Sequence, residues 1–472
     1  MQTRSRSRKW ATLVEFSVSR FSMFPGGCGL ILAGMLAGLG VSDCVLGAEV
    51  SSELRDKVAA TVNQDYPGLF DLYRHLHTHP ELSFHETNTA ERIAAELSPF
   101  GFAVTTMVGG FGVVAVLTNG PGATVLIRTD LDALPVKEET GLPYASTVRT
   151  ADDQGRETDV MHACGHDIHM SVFAGTARLL SWMKNHWHGT LVMIGQPAEE
   201  RGRGARAMLA DGLFTRFPRP DYCLALHVNP EMPAGKVGWV EGFAMANVDS
   251  VDVVIRGVGG HGAFPHKTKD PVVLAAETVL ALQTIVSREI RPGEPAVVTV
   301  GSIHGGTKHN IIPEEVTLQL TLRSYTDSVR EQTLAAIKRI VRGLAEAAGI
   351  PDDRMPTVTV RDEFTPATYN DPVLARRVSG AFKAWLGDDR VQRVEPVMGG
   401  EDFSEFGRTK ERIPVCLFWL GAVDPDRWTE SRQKGTPLPS LHSSRFTPLP
   451  EPTIKTGITA MTAAVIELLS AP

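Results

Sequence analysis

Cysteine, histidine and glutamate side chains recur in this 472-residue sequence in turns marked by glycine or proline, next to apolar segments. A thiolate, imidazoles and carboxylates form a donor set that zinc, manganese, cobalt and nickel ions accept. Taken singly, such residues are more often packed or hydrogen-bonded at strand ends, and a Glu-Glu pair is more often a solvated turn. The candidates are Cys164 and His166 before a helical segment, Glu199 and Glu200 after an apolar strand, His227 after a second strand, and His442 before the last helix.

The adjacent pair Glu199 and Glu200 indicates a division of roles, because two neighbouring glutamates in one turn are rarely both metal ligands. A divalent ion lowers the pKa of bound water towards neutrality, and a free carboxylate nearby can take the proton that this water releases. We assign Glu200 as the ligand and Glu199 as the general base. The pattern therefore predicts hydrolysis assisted by a metal ion.

The elements that must position these residues alternate between helices and buried strands. Apolar residues recur at helical spacing from Asp65 to Leu97, with Pro80 as a break, and short β-branched runs bounded by glycine or proline follow. This alternation predicts an α/β fold with helices on both faces of a sheet. Open sheets of this kind carry their sites at the carboxyl ends of the strands, where the polar candidates lie.

Midway along the chain the pattern changes to the order β-α-β-β-α-β. A half-exposed strand over Ser250–Arg256 opens this order, and a strand over Thr357–Val360 closes it. The order is ferredoxin-like, and antiparallel sheets of this kind tolerate one solvated face. We therefore predict a small α+β domain at residues 244–362, inserted between two parts of a catalytic domain at residues 49–243 and 363–472.

Residues 1–48 have the basic, apolar and small-residue order of a secretory signal peptide. Five basic residues precede an apolar stretch over Gly29–Val41, and Gly47 and Ala48 offer a cleavage site. This stretch is short for a bilayer span, which disfavours a retained anchor. The basic region is long for a signal peptide, so a membrane-anchored form or a misassigned start codon is the alternative, and no later segment approaches a transmembrane helix. We expect an exported protein, periplasmic or secreted, whose mature form has no stable membrane span.

The net charge and the cysteine content further restrict the partners and the kinds of site that the sequence predicts. Removing residues 1–48 takes away five basic and two acidic side chains, which moves the formal charge from −7 to −10. An acidic protein is a poor partner for nucleic acid. Three cysteines remain, Cys164, Cys223 and Cys416, so at least one thiol has no internal disulfide partner. Metal ligation would explain such a thiol.

Seven segments of the sequence carry motifs in a fixed order: Leu76-His-Thr-His-Pro-Glu-Leu-Ser83, Arg128-Thr-Asp-Leu-Asp-Ala-Leu-Pro135, His162-Ala-Cys-Gly-His-Asp-Ile-His169, Gln196-Pro-Ala-Glu-Glu200, Leu226-His-Val228, Met398-Gly-Gly-Glu-Asp-Phe403 and Leu441-His442. Together they resemble the M20 metallopeptidase family, and most closely its amidohydrolase branch of hippurate hydrolases and indole-acetyl amino acid hydrolases. The resemblance extends from about Leu69 to the C-terminus. It implies a mixed-sheet, zinc-peptidase-like catalytic domain with an inserted ferredoxin-like lid and dimerisation domain.

The resemblance also implies a site for two divalent metal ions. Cys164 stands where other branches of the family have a bridging aspartate, and Glu199 matches the general base. Asp130 replaces a metal-binding histidine of other branches, so we expect Asp130 and Asp132 to orient the ligands from behind. The implied ligands are Cys164, His166, Glu200, His227 and His442.

The inserted segment Gly259-Gly-His-Gly-Ala-Phe-Pro265 resembles the part of the lid whose histidine, here His261, reaches a neighbouring subunit's active site and stabilises an oxyanion there. A homodimer through the lid domain is therefore implied, although the segment by itself would be a turn with a surface histidine. Other residues match positions that hold the substrate's carboxylate or let the backbone approach the substrate. These candidates are Asn310, Arg323, Gly399 and Gly400.

The predicted reaction is hydrolysis of the amide bond of an N-acyl amino acid, hippurate-like or indole-acetyl amino acid-like, by metal-bound hydroxide with Glu199 as the general base. A dipeptidase or an aminobenzoyl-glutamate-type hydrolase is the nearest alternative. A catalytically silent protein that binds acyl amino acids in the same cleft is another, which the intact Glu199 disfavours. A nucleophilic Cys164 paired with His166 is a third, and their two-residue spacing is poor geometry for that pair.

Two further groups of histidines are interpreted as structural. His75, His77 and His79 follow one another at two-residue spacing, which on a helix distributes them over different faces. His304 and His309 flank a Gly-Gly turn and are interpreted as loop residues, with a place for His309 in the wall of the cleft as the alternative. We assign none of these five residues to the predicted site.

Overall fold

A computed structural model describes residues 51–362 and 364–470 of the chain. The predicted signal peptide at residues 1–48 therefore lies outside the described residues.

The described residues form eleven α-helices, several of which begin at a side-chain cap. The Ser51 hydroxyl accepts a hydrogen bond from the Leu54 N–H at the start of the first helix, and Asp371 does the same for Leu374 at the eighth. The helices are α1 (Ser52–Thr78), α2 (Thr87–Leu97), α3 (His166–Trp182), α4 (Gly204–Ala210), α5 (Leu213–Arg216), α6 (Pro271–Thr284), α7 (Asp327–Ala347), α8 (Pro372–Leu386), α9 (Ser404–Gly407), α10 (Pro425–Lys434) and α11 (Pro450–Leu469).

The strands of the described residues belong to one large sheet, one four-stranded sheet and three two-stranded ribbons. The strands are β1 (Ala103–Val108), β2 (Gly112–Asn119), β3 (Thr124–Asp130), β4 (Arg149–Ala151), β5 (Glu157–Asp159), β6 (Gly189–Gln196), β7 (Tyr222–Pro233), β8 (Val237–Trp239), β9 (Gly242–Met245), β10 (Asn247–Arg256), β11 (Gly260–His261), β12 (Ala296–Gly305), β13 (Ile311–Ile312), β14 (Glu315–Ser324), β15 (Thr357–Val360), β16 (Thr368–Asn370), β17 (Val391–Arg393) and β18 (Val415–Val423).

The large sheet has eight strands in the order β1-β2-β6-β3-β7-β18-β8-β17, and its central strands β6, β3, β7 and β18 run parallel. Alternate residues of β3 enter different apolar clusters: Val125 and Ile127 pack with α1, α3, α8 and α11, and Leu126 packs with α4 and α5. The sheet is therefore buried on both faces. This arrangement confirms the predicted mixed α/β fold.

The four-stranded sheet, called the small sheet below, has the order β12-β14-β10-β15 with antiparallel pairing throughout. Buried and half-buried residues alternate along β10, and its buried residues pack against α6 and α7 in a separate apolar cluster. One face of the small sheet is thus covered by helices, as the ferredoxin-like prediction requires. The exact bounds of the inserted domain, residues 244 and 362, stay a prediction.

Helix α6 continues through a π-helical segment, Ile285–Glu289. Among the described residues, the combined stretch Pro271–Glu289 is long and apolar enough to cross a membrane, and a third of it is buried. The expectation that no later segment approaches a transmembrane helix is therefore wrong by length and composition. The reason is that apolar residues occupy two faces: Leu274 packs on the small sheet, whereas Leu280 is 72% exposed. Core helices of soluble proteins pass the same test.

Candidate active site

The candidate metal ligands and Glu199 meet at the carboxyl ends of the parallel strands of the large sheet. Asp130 is the last residue of β3, Glu199 follows the end of β6 by three residues, and His227 lies on β7. Cys164 lies in the turn before α3, whose first residue is His166. This is the edge at which open α/β sheets place their sites.

Gly165 allows the turn between Cys164 and His166 to pack directly against β7. Its backbone has a φ of +78°, and a Cβ atom there would lie 2.7 Å from Cγ2 of Val228. A side chain at this position would be strained and would also collide with the strand. The glycine therefore keeps Cys164 and His166 against the strand that carries His227.

Cys164 lies at the centre of the candidate ligands. Its Sγ atom is 3.4 Å from Nε2 of His227. Donor atoms of Cys164, His166 and His227 lie within 4.8 Å of one another, and so do those of Cys164, Glu200 and His442. Cys164 belongs to both groups and therefore lies where the two groups meet. The structure thus brings together all five residues that the sequence proposes as ligands.

The imidazole rings of His166 and His227 are oriented by backbone carbonyl groups. Nδ1 of His166 donates a hydrogen bond of 2.8 Å to the Asp132 carbonyl, and Nδ1 of His227 donates one of 2.8 Å to the Val228 carbonyl. A carbonyl oxygen only accepts, so in the neutral rings both Nε2 atoms present a lone pair to the site. Burial lowers the pKa of His227 well below its ordinary value, which keeps this ring neutral.

Two buried polar atoms of the candidate ligands have no hydrogen-bond partner among the described residues. They are Nε2 of His166 and Oε1 of Glu200. Buried polar atoms are nearly always satisfied, so these two require a ligand. His442 lies at the rim, with its side chain 55% exposed and its Nε2 3.5 Å from Glu200 Oε2. The thiol, imidazole and carboxylate atoms fit divalent metal ions.

Buried carboxylates outnumber buried permanent cations around these residues. Burial raises the pKa of Glu200 to about 8 in spite of His166 nearby. Burial lowers the pKa of His166, but the Asp130 carboxylate and the hydrogen bond to Asp132 outweigh it and raise that pKa to about 10. The region therefore lacks positive charge, which bound divalent cations would supply. The other buried carboxylates of the described residues are Glu86, Asp132, Asp167, Glu199, Glu401 and Asp402 near the site and Asp249 on β10, and the buried permanent cation of the described part of the chain is Arg128.

Asp130 supports the site through its two oxygens. Oδ1 accepts a hydrogen bond of 2.8 Å from Nδ1 of His169, and Oδ2 accepts one of 2.7 Å from Arg128. Nε2 of His169 in turn accepts a hydrogen bond from the Val228 N–H. Both Asp130 oxygens and both His169 nitrogens are therefore occupied. Asp130 Oδ2 nevertheless lies 3.6 Å from Nε2 of His166, where its charge acts on that ring.

The turn that carries Glu199 and Glu200 begins with a strained residue. Ala198 has a φ of +49°, a conformation that costs a non-glycine residue about 1 kcal/mol or more. Oε1 of the buried Glu86 accepts the Ala198 N–H at 2.7 Å, and Oδ2 of Asp132 accepts the Glu200 N–H at 3.0 Å. Two buried carboxylates thus fix the turn. Asp132 was expected from the sequence, whereas Glu86 was not.

Glu199 is 9% exposed and lies beside other carboxylates. Burial, and next the charges of Glu401 and Glu200, raise the pKa of Glu199 well above its ordinary value. Arg128 opposes this shift, and it is held by Glu401 at 2.8 Å and by Gln196 at 3.0 Å. A carboxyl group with a raised pKa can accept and return a proton near neutral pH.

A cavity of about 710 Å³ opens above the candidate ligands. Cys164, Glu199, Glu200, His227 and His442 lie in its wall, together with three predicted substrate-binding residues, Arg323, Gly399 and Gly400. Burial lowers the pKa of Arg323, and no carboxylate of the described residues forms an ion pair with it. The cavity therefore has a polar reactive end and a half-buried guanidinium that can bind an anion.

His261 and Asn310 lie apart from this cavity, and both side chains are exposed. His261 pairs with Ile311 in the ribbon of β11 and β13, and its Nδ1 accepts the Ala263 N–H. A single chain therefore does not bring these two predicted residues to its own cavity.

His77 is buried and helps to hold the residues of the site in place, a role that the sequence interpretation missed. Its Nδ1 lies 2.6 Å from Oδ2 of Asp167, the neighbour of His166, and its Nε2 lies 3.1 Å from Oε1 of Glu138. Burial lowers the pKa of His77, but these hydrogen bonds raise it to about 10. The expectation of scattered faces is also wrong for His75 and His79, whose rings stack at 4.7 Å on the same side of α1.

The three described cysteines are free and buried. Cys223 and Cys416 lie on neighbouring strands, β7 and β18, but their side chains enter apolar clusters on opposite faces of the large sheet. They therefore do not form a disulfide bond. Among these thiols, only Cys164 lies among candidate metal ligands.

Comparison with known proteins identifies the family. Residues 126–435 match the model of peptidase family M20/M25/M40. The chain belongs to this family. The matched M20 region contains every predicted site residue except His442. As a member of the M20 family, the chain is a metal-dependent amidohydrolase.

Individual M20 proteins cover most of the chain. Thermostable carboxypeptidase 1 of Saccharolobus solfataricus is 34% identical, over 84% of this chain and 94% of its own length. N-acetylcysteine deacetylase of Bacillus subtilis is 34% identical, over 76% of this chain and 90% of its own. The crystal structure of the Bacillus subtilis YXEP protein, a dinuclear metal-binding M20 peptidase, is 28% identical with a TM-score of 0.68, and the match covers 87% of this chain and 99% of that one.

Proposed function

We propose that this protein hydrolyses the amide bond of N-acyl amino acids and releases a carboxylic acid and a free amino acid. The observation that carries the proposal is the cavity of about 710 Å³, whose lining includes Arg323 together with Glu199 and four of the metal-ligand candidates, Cys164, Glu200, His227 and His442. Arg323 has no ion-pair partner among the described residues. An amide beside Glu199 and a carboxylate on Arg323 are the two polar features of an N-acyl amino acid. The names of M20 relatives such as N-acetylcysteine deacetylase support this substrate class.

Each side chain of the site has a role in the proposed reaction. Cys164, His166, Glu200, His227 and His442 would hold two divalent ions, with Cys164 shared between them. When bound, such ions polarise the amide carbonyl and make water a stronger nucleophile. Glu199 takes a proton from the attacking water and delivers it to the leaving amine. Asp132 holds Glu200 in place by accepting its backbone N–H, and Asp130 holds His169, which accepts the Val228 N–H beside His227.

Arg323, Gly399 and Gly400 form the end of the cavity that would hold the substrate's carboxylate. A Cβ atom at Gly400 would lie 2.2 Å from Cγ2 of Val248 and 3.5 Å from Nη1 of Arg323. The absence of a side chain therefore leaves room beside the guanidinium. An arginine in this position can bind a carboxylate with two parallel hydrogen bonds.

We also propose that the protein works as a homodimer formed through the small sheet. Helix α6 exposes Val273 and Leu280, and the neighbouring edge strand β12 exposes Ile303. An unpaired edge strand beside an apolar helix face favours pairing with a second copy. In such a dimer, His261 and Asn310 would serve the partner's cavity, where His261 would stabilise the oxyanion.

We further propose, from the sequence alone, that the protein is exported. The basic, apolar and small-residue order of residues 1–48 supports a periplasmic or secreted protein. N-terminal sequencing of the protein purified from its native source would give a new terminus near residue 49. An intact residue 1 in a protein that stays inside the cell would contradict export.

The substrate class is tested with metal-free protein reconstituted separately with manganese, zinc, cobalt and nickel. Three sets of amides are compared: N-acyl amino acids, N-acyl amines without the carboxylate, and unacylated dipeptides. We expect the protein to hydrolyse the N-acyl amino acids and to hydrolyse the N-acyl amines without the carboxylate much more slowly. Efficient turnover of dipeptides alone would favour the dipeptidase alternative, and no turnover of any amide with metals bound would contradict the proposal.

A matched pair of arginine variants sharpens this test. Arg323→Met should raise KM for N-acyl amino acids by about 100-fold, because a charge-assisted pair of hydrogen bonds to the carboxylate is lost. Arg291→Met, at an exposed position of the loop between α6 and β12, should leave KM unchanged. Equal effects of the two substitutions would remove Arg323 from the substrate site.

A further inference from the structure

His442 differs from the other candidate ligands because it lies in a long loop. This loop comprises residues 435–449, between α10 and α11, and is called the His442 loop here. The backbone of His442 has a φ of +65°, a strained conformation for a residue other than glycine. Strain of this kind persists only where the surrounding structure fixes the backbone, so other parts of the chain must hold His442 in place.

The first part of the His442 loop provides little of this support. Residues 435–440 line a cavity of about 400 Å³ beside α10, and none of these six residues is buried. Further along, the Phe446 N–H donates a hydrogen bond to the Ser443 carbonyl, which joins residues of the same loop. A segment with so few buried contacts opens easily, so His442 depends on contacts from the opposite side of the loop.

Two of these contacts come from the turn that carries Cys164. The His442 N–H donates a hydrogen bond of 2.9 Å to the carbonyl of Ala163, the residue before Cys164. Phe446 is buried, and a Cβ atom at Gly165 would lie 3.3 Å from its Cε1 atom. The His442 loop therefore rests on the turn at both of these points.

Glu139 makes a third contact, which engages Ser444 through both its backbone and its side chain. The Glu139 N–H donates a hydrogen bond of 2.7 Å to the Ser444 carbonyl, and the Ser444 hydroxyl donates one of 2.9 Å to Oε2 of Glu139. The Arg445 guanidinium lies 3.9 Å from the same carboxylate oxygen. Because Ser444 follows His442 by two residues, this contact restrains the backbone that presents the imidazole.

The segment that carries Glu139 is itself fixed to the support of the metal site. The side chain of the preceding residue, Glu138, is 0% exposed, and its Oε2 accepts the Ser146 N–H at 2.6 Å. His77 lies between Glu138 and Asp167, the residue that directly follows a candidate ligand on α3. Glu139 thus projects from a buried anchor towards the His442 loop.

We propose that Glu139 is a positioning residue that holds His442 where it completes the group formed with Cys164 and Glu200. This inference rests on the proposed function, because it takes that group to bind a divalent ion. The other group of three candidate ligands around Cys164 contains no residue of the His442 loop. Loss of the Glu139 contact should therefore weaken the binding of one ion and spare the other.

The proposal is tested by titrating metal-free protein with cobalt(II) while the bound ions and the absorption spectrum are followed. Glu139→Ala and Ser444→Ala each remove the side-chain contact, and their combination tests whether the two side chains act together. Glu139→Gln keeps an oxygen that can accept the Ser444 hydroxyl. Ser443→Ala is the matched control, because its hydroxyl is also half-buried but bonds only the Arg445 N–H inside the loop.

We expect Glu139→Ala and Ser444→Ala each to raise the Kd of one cobalt ion by about tenfold, because a charge-assisted hydrogen bond is lost, and to leave the other Kd unchanged. The double variant should lose no more than either single variant. Glu139→Gln should stay within about threefold of the wild type, since a neutral hydrogen bond remains. Excess cobalt should restore the kcat of Glu139→Ala at an unchanged KM, which a general loss of folding would not permit.

Several outcomes would overturn the inference. They are equal weakening of both ions in Glu139→Ala, additive losses in the double variant, and an effect of Ser443→Ala as large as that of Ser444→Ala. If Glu139→Ala does not fold, Ser444→Ala carries the same expectation. If the wild type binds two ions but hydrolyses no N-acyl amino acid, the proposed function fails and the titration still decides the role of Glu139. If the wild type binds fewer than two ions, both fail.

Discussion

The carboxyl edge of the large sheet and the ribbon of β11 and β13 both carry residues that the sequence assigned to one active site. At the sheet edge, Cys164, His166 and Glu200 come together in a buried group within a single chain. In the ribbon, His261 and Asn310 stay exposed and outside the cavity. The difference teaches that the candidate ligands and Glu199 come together within one chain, whereas His261 would reach a substrate only in the proposed dimer.

The largest expected effect on turnover is that of a substitution at the carboxyl edge of the large sheet. Glu199→Gln should lower kcat by about 1000-fold, because the amide cannot accept the proton of the attacking water. Metal content, measured by elemental analysis, should stay near that of the wild type, since Glu199 is assigned to proton transfer and not to ligation. Glu395→Gln, at an exposed position near the cavity, is the control and should keep full turnover. A Glu199→Gln variant with wild-type kcat would contradict the assignment.

The next largest effect on turnover is that of a substitution in the ribbon of β11 and β13. It tests whether the ribbon of one chain contributes to the active site of the other chain in a dimer. His261→Ala should lower kcat by about 100-fold, because an oxyanion donor is lost. Mixing His261→Ala with Glu199→Gln should then restore turnover to about a quarter of the wild-type value, since a mixed dimer holds one complete site. Dimer formation is checked by light scattering on the same samples. Mixed dimers that stay inactive would place His261 in its own chain's site or in none.

The smallest effect compares a buried histidine with an exposed one on the same helix. The pKa of His77 is raised to about 10, above an unfolded value of about 6.5. A raised folded pKa contributes stability that is fully present below pH 6.5 and is lost as the pH rises through about 10. The stability difference between wild type and His77→Gln, from denaturant unfolding of metal-loaded protein, should therefore shrink over this range.

The exposed His79 provides the control for that experiment. His79→Gln should change the free energy of unfolding by less than about 0.5 kcal/mol, as exposed substitutions usually do. A His77→Gln difference that stays constant or grows up to pH 10 would show that the charged ring does not stabilise the fold.

Local patterns in the sequence were sufficient for the strands that carry the site. The strand over Thr357–Val360 was predicted with its observed bounds, and the turn of Cys164 and His166 was recognised by its glycine and its position before a helix. Both features depend only on neighbouring residues. The bounds of α1 were not predicted fully, because Pro67 lies inside a helix that begins at Ser52.

Contacts between distant segments were beyond the reach of such patterns. Glu86 bonds the Ala198 N–H across 112 positions, and Arg128 bonds Glu401 across 273. The periodicity and spacing of residues in the sequence do not show which buried carboxylate will form a hydrogen bond with which turn. The hairpin of β4 and β5 was also missed, because its strands are three residues long and largely polar.

The shared position of Cys164 is the central claim, and metal stoichiometry tests it most directly. Metal-free protein is titrated with one metal while bound ions and turnover of an N-acyl amino acid are measured together. We predict two ions per chain in the wild type, turnover that follows the second ion, and loss of at least one ion in Cys164→Ala. Cys164→Asp should keep both ions, because a carboxylate can also bridge them. Two ions and an unchanged kcat in Cys164→Ala would contradict the account.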